Sequence, residues 1–309
     1  MILEVLKALA DPSRLRLAAI LLRGEFTVQE LTRIMGTGQS RVSHHLKVLT
    51  EAGILAVKRQ GTWNYYRANG DCPFFTTIRP ALEQGLAEIP ERDQDLSAVT
   101  QVLEERRQRS REFFDRHARQ WDDLARTLLP VPGYRERLLS YVPTRKTVVE
   151  IGFGAGGLLP DLAAKSVTVI GIDHSPAMLE EARQRLADER VNGVDLRLGE
   201  MTHLPLPDHF ADCAVINMVL HHAADPPAVL AEIRRVLTPG GMLVLADLVR
   251  HEREWVRERL ADQWLGFEEE ELSAWLAAAG FAEITAERIE GGAGEETMLL
   301  VQATIPGPS

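Results

Sequence analysis

VVEIGFGAGG, residues 148–157, is the stretch on which the reading of this 309-residue chain turns. An apolar run suited to a buried strand passes directly into glycines at 152, 154, 156 and 157. Glycines there permit a tight turn and let a ligand approach the backbone, with the N–H groups of the following helix facing it. A glycine turn alone is a weak signal. Its neighbour strengthens it: VTVIGID (167–173) reads as a second strand closed by Asp173, where a carboxylate can bind both ribose hydroxyls. Glu150 ahead of Gly152, Gly154 and Gly156 gives E-x-G-x-G-x-G. That spacing differs from the G-x-G-x-x-G of pyrophosphate cofactors and fits a ligand without phosphates.

Downstream of this turn, apolar strands alternate with amphipathic helices as in βαβ units. Strands are predicted near 147–151, 167–172, 194–198, 212–217 and 241–247, with helices near 157–165, 176–188 and 226–237. Further helices are expected near 252–264 and 269–279, then late strands near 282–288 and 296–303. The result is an α/β Rossmann-like domain. Upstream, Leu96–Leu129 is charged and helix-prone, Pro90–Asp95 reads as a linker, and Phe74–Ile89 reads as a helix. The chain is therefore multidomain, divided into 1–90, a helical linker 91–112, and 113–309.

The first of these domains has a different texture. Asp11 is a good N-cap with Pro12 behind it, so a second helix starts there. Thr27 with Glu30 forms a capping box for a short helix to Met35, and Gly36-Thr37-Gly38 is a turn. Gln39–Ala52 follows as a helix ending at Gly53, and Ile54–Lys58 and Trp63–Ala68 flank a hairpin turn. Two helices, a glycine turn and a hairpin make an α+β winged helix-turn-helix. In the second helix Val42, Leu46 and Leu49 point inward, leaving Gln39, Ser40, Arg41, Ser43, His44 and Lys47 outside. Such side chains reach base edges and phosphates in a major groove. Lys58, Arg59 and Arg67 in the hairpin are placed for backbone contacts.

Net charge is −10, yet residues 1–70 hold ten Lys/Arg against five Asp/Glu. That asymmetry suits one polyanion-facing end. Cys72 and Cys213 lie far apart, which argues against a disulfide framework or a cysteine metal site. Adjacent histidines His44 and His45 point some 100° apart on a helix, so no metal site is expected there or elsewhere. No apolar run is long enough for a membrane span, and the N-terminus lacks a signal-peptide layout, so a cytoplasmic location is expected.

The stretches LADPSRLRLAAIL and SRVSHHLKVLTEAGIL closely resemble the ArsR family of dimeric repressors over about the first 80–90 residues. The resemblance implies a homodimer on an inverted repeat of double-stranded DNA, read by the face from Ser40 to Lys47. Metal-sensing members carry a cysteine pair where this chain reads GEFTVQEL (24–31), so that thiolate site is missing. From about Phe113 to Ala303 the chain resembles class I S-adenosylmethionine-dependent methyltransferases of the ubiquinone/menaquinone subgroup. The segments carrying this are FFDRHARQWD (113–122), VVEIGFGAGG, IDHSPAMLEEAR (172–183), GEMTHLPLPDHFAD (199–212) and RRVLTPGGML (234–243). By position, Asp173 would take the ribose, and His174 and Met178 would flank the adenine. Glu200, standing where Asp is usual, and Met201 would line the adenine edge. Asn217 and Met218 would sit beside the amino acid portion, with Phe114 and Trp121 closing as a helical lid. His221-His222 is a frequent loop signature of this subgroup and reads as structural.

The whole arrangement resembles S-adenosylhomocysteine-responsive repressors of the methionine cycle. This implies a transcriptional regulator with S-adenosylhomocysteine or S-adenosylmethionine as effector. The alternative is an active methyltransferase with an autoregulatory DNA-binding domain. For it, Asp247 and His251 are the acid–base candidates, though a plain i, i+4 surface pair accounts for them as well.

Overall fold

The computed structural model describes residues 2–70, 72–85, 89–121, 124, 133–144, 146–290 and 297–307. They fall into two compact units, Met1–Arg106 and Arg107–Ser309. Of the helix-prone segment Leu96–Leu129, residues 122, 123 and 125–129 lie outside the described residues.

In the first unit, α1 (Ile2–Leu9) leads to α2 (Pro12–Leu21), where the Arg14 amide donates to the Asp11 carboxylate at 3.0 Å. Thr27 and Glu30 cap the next helix, α3 (Val28–Met35), reciprocally as expected, and Gly36 ends it with φ +60. The following helix, α4 (Gln39–Glu51), buries Val42, Leu46 and Leu49 completely, so the inward face matches the spacing. The wing is a three-stranded antiparallel sheet, β1 (Phe26–Thr27), β2 (Leu55–Gln60) and β3 (Trp63–Ala68), ordered β1-β3-β2. Two-residue β1 is too short to leave a period in the sequence. Beyond the wing comes α5 (Pro73–Gly85).

Pro90–Asp95 is not all linker, because α6 (Arg92–His117) begins inside it. Through Arg106, this helix is held to the first unit by two forked ion pairs. Asp95 accepts from Arg16 at 2.7 and 2.8 Å, and Glu30 accepts from Arg106 at 2.8 and 2.9 Å. Arg106 is 6% exposed and lies near the rings of Phe26 and Tyr65.

The second unit is built on a seven-stranded sheet ordered β6-β5-β4-β7-β8-β10-β9. Its strands are β4 (Thr147–Ile151), β5 (Thr168–Asp173), β6 (Val194–Leu198), β7 (Ala211–Asn217), β8 (Leu237–Leu248), β9 (Ala282–Glu290) and β10 (Thr297–Thr304). β10 runs antiparallel between β8 and β9, and the other neighbours pair in parallel. Helices α7 (Tyr134–Tyr141), α8 (Leu159–Lys165), α9 (Pro176–Asp188) and α10 (Pro226–Val236) accompany the parallel strands. The chain builds outward from β4 to β6, then reverses to β7 and β8. That reversal opens a crevice at the carboxyl ends of β4 and β7, where such sheets bind ligands.

One predicted helix is largely replaced. Of the span near 252–264 only α11 (Trp255–Arg259) forms, before α12 (Glu269–Ala278). The backbone amides of Arg250 and His251 donate instead across the loop, to the carbonyls of Phe267 and Leu265. Buried Trp264 donates its indole N–H to the Ala223 carbonyl at 2.8 Å, in keeping with a packing role.

Candidate functional site

At the carboxyl end of β4 the chain turns through Gly152, with φ +71. A Cβ there would fall 2.4 Å from Val219, so both conformation and space require glycine. Gly156 serves packing rather than lining. A Cβ at Gly156 would meet Ala182 of α9 at 2.9 Å. Between them, the Gly154 amide donates to Asp173 at 2.9 Å, and the Ser175 amide donates to the other oxygen at 2.9 Å. The carboxylate closing β5 is thereby fixed in direction.

These elements enclose a cavity of about 900 Å³. Phe114, Trp121, Glu150, Gly152, Gly154, Asp173, His174, Met201, Asn217 and Met218, all expected from sequence, line it. Three expected residues stand outside the lining. Gly156 packs on α9, Met178 is buried in the apolar cluster around Phe114, and Glu200 forms an ion pair with Arg111 beside a smaller adjoining hollow. The aromatic rings meet edge to face, Phe114 and Trp121 at 5.0 Å and Phe114 and His222 at 4.8 Å. Asp115, next to Phe114, accepts from the Ser175 hydroxyl at 2.5 Å.

Electrostatically the crevice is a site of unmet acceptors. Burial pushes the Glu150 carboxyl up to about 8 and raises Asp173 as well. Glu150 Oε2 and Asn217 Oδ1 are buried without a hydrogen-bonding partner. Asn217 Oδ1 is an acceptor, and Glu150 Oε2 becomes one once a cation beside it favours the ionised carboxylate, so a positively charged donor answers both. Met218, at the same rim, holds φ +57 without being glycine, the kind of backbone strain found at ligand clamps.

A polar cluster that sequence reasoning missed forms another part of the wall. Asp247 does not stand on a helix surface with His251. It lies fully buried in β8 and accepts from His221 Nδ1 at 2.7 Å and from the His221 amide at 3.2 Å. His251 lies in a loop, where burial lowers its pKa to about 4. Burial also opposes charge on His221, but Asp247 and then Asp262 outweigh it and raise the pKa to about 9. Burial and the neighbouring His221 hold His222 neutral. The paired histidines were a visible signal, whereas Asp262, about 40 residues later in the chain, was not.

In the first unit, Gln39, Ser40, Arg41, Ser43, His44 and Lys47 are all exposed on α4, opposite its buried stripe. Arg59 is exposed in the hairpin, and Arg67 is half-buried, 3.8 Å from Glu25. Lys58 is the exception. It is 7% exposed because β2 turns Lys58 and Gln60 inward and Val57 and Arg59 outward. It does not stand with the solvent-facing cations.

Residues 11–57 match the model for bacterial regulatory proteins of the arsR family, and residues 149–245 match a methyltransferase domain. The chain is 37% identical over 109 residues to an arsenite methyltransferase of Halobacterium salinarum, covering 34% of this chain and 28% of that one. It is 30% identical over 172 residues to a demethylmenaquinone methyltransferase of Symbiobacterium thermophilum, covering 53% of this chain and 68% of that one. The chain thus spans less than half the length of several curated relatives, the arsenite methyltransferase among them. Among solved structures, a complex of a Haloferax volcanii methyltransferase and its activator covers 62% of this chain and 97% of that chain. The TM-score is 0.53 at 24% identity, a likeness of fold. No helix among the described residues is long and apolar enough to cross a membrane.

Proposed function

This chain belongs to the class I methyltransferase family, with an arsR-type DNA-binding domain ahead of the catalytic fold, and from this we propose a DNA-binding regulator with a nucleoside effector. The effector is S-adenosylhomocysteine or S-adenosylmethionine. The observation that carries this reading is the pair of unpartnered acceptors, Glu150 Oε2 and Asn217 Oδ1, in the crevice that also holds Asp173. An amino acid ammonium is a donor-only group that answers those two atoms. Asp173 uses two of its roughly four lone-pair sites on backbone amides, which leaves others for ribose hydroxyls. Phe114 and Trp121 supply flat apolar surface for a base, and His174 adds a flat polar ring beside them.

On the DNA side, the six exposed residues from Gln39 to Lys47 support groove recognition. The outer face of α1 leaves Ile2, Leu3 and Leu6 at 53, 69 and 48% exposure, apolar area that supports a homodimer and hence an inverted-repeat operator. Regulation requires the nucleoside to prefer the conformer that does not bind DNA. A coupling of about 1–3 kcal/mol, roughly 5–150-fold in DNA affinity, is enough. Calorimetry with each nucleoside, paired with operator-shift assays containing each, tests this. Preference for S-adenosylhomocysteine with release of the operator is the expected result. Tight nucleoside binding with unchanged operator affinity would refute the regulatory reading.

A second reading, an active small-molecule methyltransferase, is favoured by one feature, His221 and Asp262 on the cavity wall with buried Asp247 behind the His221 ring. S-adenosylmethionine, when bound, supplies an electrophilic methyl group on its sulfonium. Asp247 would hold the His221 ring, and the cluster would orient an acceptor. Arsenite is a poor candidate for that acceptor. Cys213 is fully buried, and burial pushes its thiol up to about 12, far from the thiolate such chemistry uses. Turnover of an acceptor without any effect on DNA affinity would establish this reading in place of the first.

A further inference from the structure

Three ligating side chains from two distant stretches of sequence meet on the cavity wall. His221 and His222 occupy a short 3-10 turn after β7, and Asp262 follows α11. Their side chains are 2, 2 and 1% exposed. Asp262 Oδ1 lies 3.7 Å from His221 Nε2 and 3.6 Å from His222 Nδ1, and one ligand atom from each residue falls within 4.8 Å of the others. Those separations are too long for hydrogen bonds. They approach the edge of a small coordination shell, since donors about 2.0–2.1 Å from a tetrahedral ion stand about 3.4 Å apart. His222 Nδ1 is buried and makes no hydrogen bond.

The surroundings match what a metal-binding imidazole needs. His221 donates Nδ1–H to Asp247, which fixes the ring and turns Nε2 toward Asp262, where an ion would take the place of the Nε2 proton. Asp247 is itself held by the amides of His221 and Leu248, at 3.2 and 2.7 Å. All three ligating residues line the large cavity, so a fourth position would open onto it. Three protein ligands with one open position is the pattern of a reactive rather than a purely structural site.

We propose that His221 Nε2, His222 Nδ1 and Asp262 Oδ1 bind one divalent transition-metal ion of the zinc class, with its remaining position open to the nucleoside cavity. Two imidazoles and one carboxylate select such an ion over magnesium or calcium, which prefer all-oxygen shells. The geometric objection that applies to His44 and His45 does not arise here, because Asp262 arrives from another segment to close the site. The ion's open position takes an anionic oxygen or sulfur donor. The assignment stands whether or not the domain transfers a methyl group.

The test uses the tag-free 309-residue chain, stripped with chelator and titrated with cobalt(II) chloride, then with zinc chloride. The expected result is one cobalt ion per chain, with the intense visible absorption of a four- or five-coordinate site. Equimolar zinc should displace it, and millimolar magnesium should not. Asp262→Asn and His222→Ala should each weaken cobalt binding at least 100-fold, while His203→Ala, at an exposed histidine outside the cluster, should leave it unchanged. Absence of stoichiometric binding, a weak six-coordinate all-oxygen spectrum, or undiminished affinity in both cluster variants would overturn the proposal. Should the variants lose their cooperative melts, X-ray absorption on the zinc-loaded wild-type chain decides. Two imidazole nitrogens at the metal are required, and a shell without them overturns the assignment.

Discussion

On α4, six polar side chains between Gln39 and Lys47 stand in solvent, while in the crevice the carboxylates of Glu150 and Asp173 are buried at strand ends. The first arrangement suits a large polyanion. Exposed groups lose little solvation in the free protein, and many weak contacts sum over a long partner. The second suits a small molecule. Few contacts are available, so each polar atom is taken out of water in advance and left to await a single partner. On the proposed reading, affinity on α4 would be spread and salt-sensitive, whereas affinity in the crevice would be concentrated in a few atoms.

Single substitutions should expose that difference, and the largest effect is expected in the crevice. Asp173→Ala should reduce nucleoside affinity more than 100-fold by calorimetry while leaving operator binding intact. Loss of operator binding in a variant that still melts cooperatively would break the division of labour. Next comes the buried pair that holds α6 to the first unit. Arg106→Met strands Glu30 without its cation, and about 3 kcal/mol of that unit's stability should disappear in urea melts. An unchanged midpoint would show that solvent reaches Glu30. On the exposed face the effect should be smaller still. Arg41→Ala should weaken operator binding about tenfold and flatten its salt dependence, without touching nucleoside affinity.

The last effect is a slope, read across pH rather than at one condition. Glu150 titrates near 8 in the folded chain and near 4.5 unfolded, so the folded state binds more protons between those values. Its contribution to stability is fully present below about pH 4.5 and fades as pH rises through 8, by at most about 1.4 kcal/mol per pH unit. Glu150→Gln should flatten that arm of the stability–pH curve. A curve identical to wild type would show that Glu150 is hydrated and the crevice less dry than its burial indicates.

What could be read in the sequence divides along the same line. Val42, Leu46 and Leu49 announce the buried stripe of α4, and with it the exposed face, because helical period is local. The Thr27–Glu30 cap is equally local. Glu150 and Asp173 were legible because one is the penultimate residue of its strand, just ahead of a diagnostic turn, and the other ends the neighbouring strand. Lys58 was not, since apolar Val57 invites the opposite choice of inward face, and only pairing with β3 settles it. Asp247 was paired with His251 by helical spacing although it closes the predicted strand near 241–247, because the partner that holds it is not local. Its contact with His221, 26 residues earlier, leaves no periodic trace.

Glu30 completes the cap of α3 and also receives Arg106, 76 residues away. A reader excised at residue 90, where composition alone invites a cut, would leave that carboxylate and Arg16 stranded. Gene shuffling that carried the DNA-binding module elsewhere would have had to take the chain through Arg106 with it. The mobile cassette, in the evolutionary sense, is longer than the motif that names it.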